Sequence, residues 1–255
     1  MGRTDGSVAP VGAGSPPPLR LVAVTHGAPS AANRRAVIRL VDGVATTRPD
    51  LDVAITFVDA RNADLGAALE AAAVRNAVIV PLVLSAGFHV RTGLSLALDR
   101  LGGDVGLAAE LGPDERIVDV LAERLDELGL REGDAVLLAA AGSNDPRAVR
   151  ECFETSRRLG QRLGRPVTAG FIAAAIPRLP DAIEMLREVH PGARIVVCPY
   201  LLAPGTFYDQ AKVAGADVVA DPLLLPERPA PEALVDLVLD RYARVGIGIE
   251  RRERA

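Results

Sequence analysis

His26 and His89 are the residues on which chemistry is most readily built. His26 ends the apolar run Leu21-Val-Ala-Val-Thr-His26-Gly27, and His89 closes Ala77-Val-Ile-Val-Pro81-Leu-Val-Leu-Ser-Ala-Gly-Phe-His89. Both stretches recur later, as Val136-Leu-Leu-Ala-Ala-Ala141-Gly142 and Arg194-Ile-Val-Val-Cys-Pro199-Tyr-Leu-Leu-Ala-Pro-Gly-Thr-Phe207. Gly27 and Gly142 are 115 residues apart and Pro81 and Pro199 are 118 apart, so two anchors share nearly one offset and the chain reads as a duplication. In that frame His26 matches Ala141, His89 matches Phe207, and Asp59 matches Ala173 (Phe57 falling on Phe171). Groups that bind metals or protons stand in one copy and are missing from the other, which predicts a single asymmetric site. Two neutral imidazoles with a carboxylate suit borderline divalent metals such as Fe2+, Co2+, Ni2+ and Zn2+. Imidazole also titrates near neutrality and so can accept protons.

The elements that must position these residues follow from the apolar pattern. Strand-length apolar runs are expected at 20–25, 52–58, 77–82 and 105–109, with helices at 31–46, 63–74 and 114–128 and a short helix within the loop that runs to about 100. The order returns with strands near 135–140, 167–173, 194–199 and 217–219 and a last helix near 230–245. The strands are continuously apolar, as in parallel sheets covered on both faces. Strand–helix alternation implies right-handed crossovers and an α/β fold of two tandem flavodoxin-like halves, each a mostly parallel sheet with helices on both faces. The expected division is a tail at 1–18, a first half at 19–130 carrying the metal site, a duplicated half at 131–246, and a tail at 247–255. The turn residues of Gly129-Leu-Arg-Glu-Gly-Asp134 mark the hinge. In the order 2-1-3-4, strands one and three flank the switch-point crevice. His26, directly after the first strand, and His89, in the loop after the third, then converge on one rim, with Asp59 ending the strand alongside.

Other residue types narrow the field. Gly142-Ser143-Asn144-Asp145-Pro146 has the form of a helix N-cap with proline entering the first turn, a place that caps a helix or holds a carboxylate or phosphate. Ser30 and Asn33 are its first-half analogues. His190 before Pro191-Gly192 reads as a helix end, where a cation complements the dipole. No GxxxxGK[ST] segment supports ATP-driven chemistry, and no GxSxG elbow or cysteine nucleophile with a histidine partner is present. A net charge of −4 without an aromatic-interleaved basic patch argues against nucleic-acid binding. No apolar stretch reaches membrane-spanning length and no signal peptide is evident. Cys152 and Cys198, the two cysteines, read as buried thiols and fit a reducing cytoplasm.

Strand-His26-Gly27, then Phe57-Val58-Asp59, then Val80-Pro81-Leu-Val-Leu-Ser-Ala-Gly87-Phe-His89-Val90 together resemble the sirohydrochlorin chelatases, ATP-independent enzymes that insert cobalt or iron into a tetrapyrrole. The resemblance covers nearly all of 19–246, since longer members are also two fused halves. It implies a cleft between the halves that takes the macrocycle, with the residues matching His26 and His89 binding the metal and assisting deprotonation. Asp59 stands where the family usually has glutamate, and Ala28-Pro29 replaces the common Ser-Arg. The implied substrates are sirohydrochlorin, which carries many carboxylates, and Fe2+ or Co2+. Arg34, Arg35 and Arg91 are candidate counter-charges, with Ser143 beside them. Phe207 and Tyr208 either stack on the ring or cap the core. A monomer or weak homo-oligomer is expected. Two alternatives remain: a non-catalytic metal or tetrapyrrole carrier using the same rim, and an unrelated α/β enzyme for a phosphorylated ligand.

Overall fold

The computed structural model describes residues 19–26, 30–58, 76–85, 88–101 and 105–253; for His26, residues 88–91, Leu101 and residues 247–253 it describes the main chain alone. The expected tail at 1–18, Asp59 and the helix expected at 63–74 lie outside the described residues.

Strands β1 (Arg20–His26), β2 (Val53–Val58), β3 (Ala77–Pro81) and β4 (Val105–Leu107) form one sheet in the order β2-β1-β3-β4. Strands β5 (Ala135–Ala140), β6 (Val167–Phe171), β7 (Ile195–Tyr200) and β8 (Val218–Val219) form a second, in the order β6-β5-β7-β8. Every described ladder is parallel, so the flavodoxin-like order expected from the sequence is present twice. The duplication extends to register. Thr25 pairs with Phe57 and Val24 with Pro81; Ala140 pairs with Phe171 and Ala139 with Pro199. Strand β6 stops at Phe171 rather than 173, and Ala174 then turns the chain with φ 56.

The helices are α1 (Ala31–Thr47), α2 (Phe88–Leu101), α3 (Glu115–Glu127), α4 (Pro146–Leu163), α5 (Leu179–Val189), α6 (Thr206–Lys212) and α7 (Glu232–Glu253). Their ends follow ordinary capping chemistry. Ser30 accepts from the Asn33 N–H, Asp114 from Arg116 and Asp145 from Arg147, while Pro146 opens α4 and Gly164 closes it at φ 66. His190 is the C-cap of α5, as its neighbours suggested. Helix α7 passes the expected end near 245 and continues to Glu253. Glu250, Arg251, Arg252 and Glu253 are good helix formers and prolong it where the sequence reading placed a tail. Among the described residues, no helix is long and apolar enough to cross a membrane.

One continuous core joins the two sheets. Their inner faces, with Leu21, Ala23, Val78 and Val80 on one and Val136, Leu138, Val196 and Cys198 on the other, share a single cluster of buried side chains. Each outer face has its own smaller cluster, under α2 in the first half and under α5 and α6 in the second. Between the inner faces the halves exchange helices. Helix α3, the last of the first half, packs on α4 and β7 of the second. Helix α7, the last of the second half, returns to pack on α1, β3 and β4 of the first, and also meets α3. Gly43 lets the α1–α7 pair close tightly, since a Cβ there would lie 2.8 Å from a methyl of Val235.

A charged cluster fastens the two exchanged helices. Arg116 on α3 donates to Asp240 on α7 at 3.0 Å and to Asp114 at 2.8 Å. The buried Arg241 donates to the carbonyls of Glu110 and Leu111 at 2.8 and 2.9 Å and to Asp114 at 3.2 Å. Burial alone would raise the Asp114 carboxyl, but the hydrogen bonds and charge of Arg116, with the charge of Arg241, outweigh it and hold the group below its ordinary 3.8. Hydrogen bonding to Arg116 likewise lowers Asp240. A depressed carboxyl contributes stability that is complete above its unfolded value and lost as pH falls through its folded value. Melting temperature should therefore drop as pH is taken below 3.8, and the drop should be shallower in Asp240→Asn. Equal acid slopes for the two proteins would show that the joint adds nothing.

Candidate functional site

His26 is the last residue of β1 and pairs with Val58, the last of β2. The next residue, Asp59, lies outside the described residues. Strand β3 runs beside β1 on its other flank, and the Leu82 N–H reaches the Val24 carbonyl at 2.7 Å. The segment leaving β3 thus starts next to the end of β1. His89 is the second residue of α2, not a loop residue as expected. The buried Leu94 and Ala97 and the partly buried Leu98 form an apolar stripe that draws this segment into a helix over β1 and β3. Both histidines therefore belong to the carboxyl edge of the first sheet.

The second half shows what replaces them. Phe207 is the second residue of α6, the same place that His89 holds in α2, and it is 43% exposed. Ala141 and Ala173 stand opposite each other, joined by the Ala173 N–H to the Ala141 carbonyl at 2.8 Å. Gly142 follows at φ 89, where a Cβ would meet the Ala173 carbonyl oxygen at 1.8 Å. The two backbones close so tightly that only glycine fits. Gly142→Ala combines a left-handed backbone with that overlap, and is expected to cost roughly 2–5 kcal/mol. A chemical-denaturation midpoint equal to that of the parent would refute this. Sequence places a glycine after His26 as well, at position 27.

The two rims face each other. Asn33, in the first turn of α1, donates through Nδ2 to the Pro204 carbonyl at 3.0 Å, just past the end of β7. Arg35 reaches Glu227, in the segment after β8, at 3.8 Å. On the other flank the buried Tyr200 donates to the Leu84 carbonyl at 3.3 Å, and Cys152 of α4 packs by Ser85. The remaining candidates have these places. The Arg34 guanidinium lies 4.6 Å from the centre of the Phe57 ring, held over β2. Arg91 is in the first turn of α2, and its side chain is outside the described set. Ser143 accepts from the Asp145 N–H at 3.0 Å, so it braces the α4 N-terminus. Tyr208 donates to Asp221 at 3.2 Å and has Lys212 over its ring at 4.8 Å, whereas Phe207 is 43% exposed. Burial pushes the Tyr208 phenol up to about 12.

Among the described residues no group of three or more His, Cys, Asp and Glu could hold a metal. The buried cysteines do not supply one: burial raises Cys152 to about 11 and lifts Cys198 further. A cavity of about 370 Å³ opens between the 109–113 segment, α4 and α7. Its exposed arginines are engaged by acids, Arg147 by Glu151 and Arg244 by Asp240, so it has no evident pull on an anion. Asn33 is the residue that sequence reasoning undervalued. The pattern marked it as part of a helix start that caps or holds an anion, and its counterpart in the second copy is Ala148.

The CbiX family model matches residues 20–128 and 135–218. The chain belongs to the CbiX family. This is the sirohydrochlorin chelatase family that the His-Gly and Pro-Leu-Val-Leu stretches resembled. A sirohydrochlorin ferrochelatase of Priestia megaterium is 31% identical to this CbiX-family chain over 154 residues, 57% of each protein. The chain thus spans just over half the length of that curated relative. SirB from Bacillus subtilis with Fe3+ superposes with a TM-score of 0.68 at 17% identity, over 91% of this chain and 98% of that one. SirB of Bacillus subtilis subspecies spizizenii in complex with cobalt gives 0.61 at 15%, over 91% and 97%. A CbiX described as the terminal enzyme of sirohaem biosynthesis in denitrifying bacteria gives 0.60 at 19%, over 87% and 98%. At such identities the superpositions establish the shared two-half fold alone.

Proposed function

We propose that this protein inserts Fe2+ or Co2+ into sirohydrochlorin without ATP, in the cytoplasm and as a monomer or weak homo-oligomer. One observation carries the reading: a scaffold repeated in the same register has histidines at the carboxyl edge of the first sheet and none at the matching edge of the second. The named relatives, a ferrochelatase and proteins holding iron or cobalt, support it.

In this mechanism His26 and His89 exchange for water on the incoming metal and present it to the ring. Few protein ligands are needed, because the ring nitrogens must replace them. Two pyrrole protons leave as the metal enters, and the same imidazoles accept them, with Asp59 beside them. Phe207 on the opposite wall stacks on the macrocycle. Arg34, Arg35 and Arg91 meet its carboxylates, with the Ser143 turn alongside. One chain provides both walls, so the site needs no second copy.

Anaerobic absorption spectroscopy with sirohydrochlorin and either metal tests this. The expected result is a protein-accelerated shift to the metallated spectrum. Stoichiometric ring binding with no acceleration would identify a carrier instead.

A further inference from the structure

We propose that Asn33 is the latch of the cleft, and that the ring enters and leaves by parting its side chain from the Pro204 carbonyl. The inference rests on the tetrapyrrole reading for the identity of what enters, and on geometry alone for the latch.

Beyond the shared core and the exchanged helices, the rims are tied at two places of opposite character. At one, Tyr200, Leu84 and Cys152 are buried, and Gly112 is wedged so closely that a Cβ would fall 2.2 Å from the Tyr200 oxygen and 2.5 Å from the Leu84 carbonyl oxygen. Such packing rotates but does not part. At the other joint the Asn33 hydrogen bond is only partly buried, and a Cβ added to Gly205 would find nothing nearer than Asn33 Nδ2 at 3.8 Å. Its companion, the Arg35–Glu227 pair, is exposed and 3.8 Å long, a contact of small worth. The filled joint is the hinge and the polar joint is the side that opens.

Residue type agrees with this asymmetry. The counterpart of Asn33 in the second half is Ala148, which is buried and has no side-chain donor. Asn33 also sits where a latch would act. It is three residues beyond Ser30, the N-cap that follows the His26 segment, and Pro204 is three residues before Phe207. Parting that one bond moves the wall bearing Phe207 away from the wall bearing His26.

Both partners are protein groups, so the bond opposes entry and exit alike. Its loss raises the open fraction, and with it both rate constants, while the equilibrium barely moves. In stopped-flow fluorescence with metal-free sirohydrochlorin, Asn33→Ala and the isosteric Asn33→Asp are expected to raise association and dissociation rates about fivefold each, the factor that about 1 kcal/mol represents. Kd should stay within about twofold. Faster dissociation with unchanged association would make Asn33 a ring contact and overturn the latch; unchanged rates would overturn it too. A second measurement needs no ring. Spin labels at Ile38→Cys and Val213→Cys, at positions 40% and 82% exposed, avoid the two buried native thiols. Asn33→Ala should spread their distance distribution to longer values, and an unchanged distribution refutes the latch. If the parent protein binds no tetrapyrrole but the labels respond, the latch stands and the substrate reading fails.

Discussion

A chain ended after Ala230 is expected to aggregate rather than fold. The truncation removes α7, whose Leu234, Val235, Leu237, Val238 and Tyr242 are buried against the first half and α3. Burying each such side chain contributes about 1.5–3 kcal/mol, so the five together match or exceed the roughly 5–15 kcal/mol that holds a domain folded. Tyr242 also donates to the Leu19 carbonyl at the start of β1, and Arg241 satisfies two carbonyls before α3. The loss therefore strips the inner face of a sheet that precedes the cut by more than a hundred residues. Ending the chain after Gly246 keeps all of these side chains and should shift Tm by no more than about 2 °C. Circular dichroism melts of the soluble fraction compare the two. A cooperative transition near the full-length temperature in the shorter chain would mean that the returning helix is dispensable.

The second large effect is on turnover. His26→Ala and His89→Ala are each expected to leave Tm within about 2 °C and lower the metal-insertion rate by about 10²–10⁴, the range for a positioned proton acceptor. In the proposed mechanism both act on one metal and one pair of protons, so the double variant should lose little more than either single one. Ring binding should persist, because the proposed mechanism gives the macrocycle to the second rim and the arginines. Wild-type insertion rates in both variants would remove the histidines from the mechanism. Parent-like rates in one alone would reduce the site to the other.

Much of this architecture is written in local pattern. Continuous apolar runs specify strands buried on both faces, and their alternation with helices leads to parallel sheets; the order 2-1-3-4 appears in both halves. Asp145-Pro146 and His190 mark helix ends because capping is a matter of neighbours in sequence. The helix exchange is not legible in the same way. Apolar spacing on α3 and α7 says that each has a face to bury, and nothing in it says which sheet receives that face. His89 was placed in the loop after the third strand, with only a short helix expected before about 100, whereas the stripe at Leu94, Ala97 and Leu98 carries the helix back to Phe88. Asn33 was read by analogy with the second-half turn as part of a helix start that caps or holds an anion; its backbone N–H does serve the cap, and its amide side chain does something that only the folded pair of rims displays.

The exchanged helices bear on how the two rims came to differ. In a pair of identical subunits that traded their last helices, every substitution would appear on both walls at once, by symmetry. A wall optimised for a metal would then face its own copy, and flat aromatic ground could not be introduced on one side without removing an imidazole from the other. Joining the units into a single polypeptide, while keeping the mutual completion that binds them, lifts that constraint. Selection can then act on each wall separately, and the contrast between His89 and Phe207 is what such freedom permits.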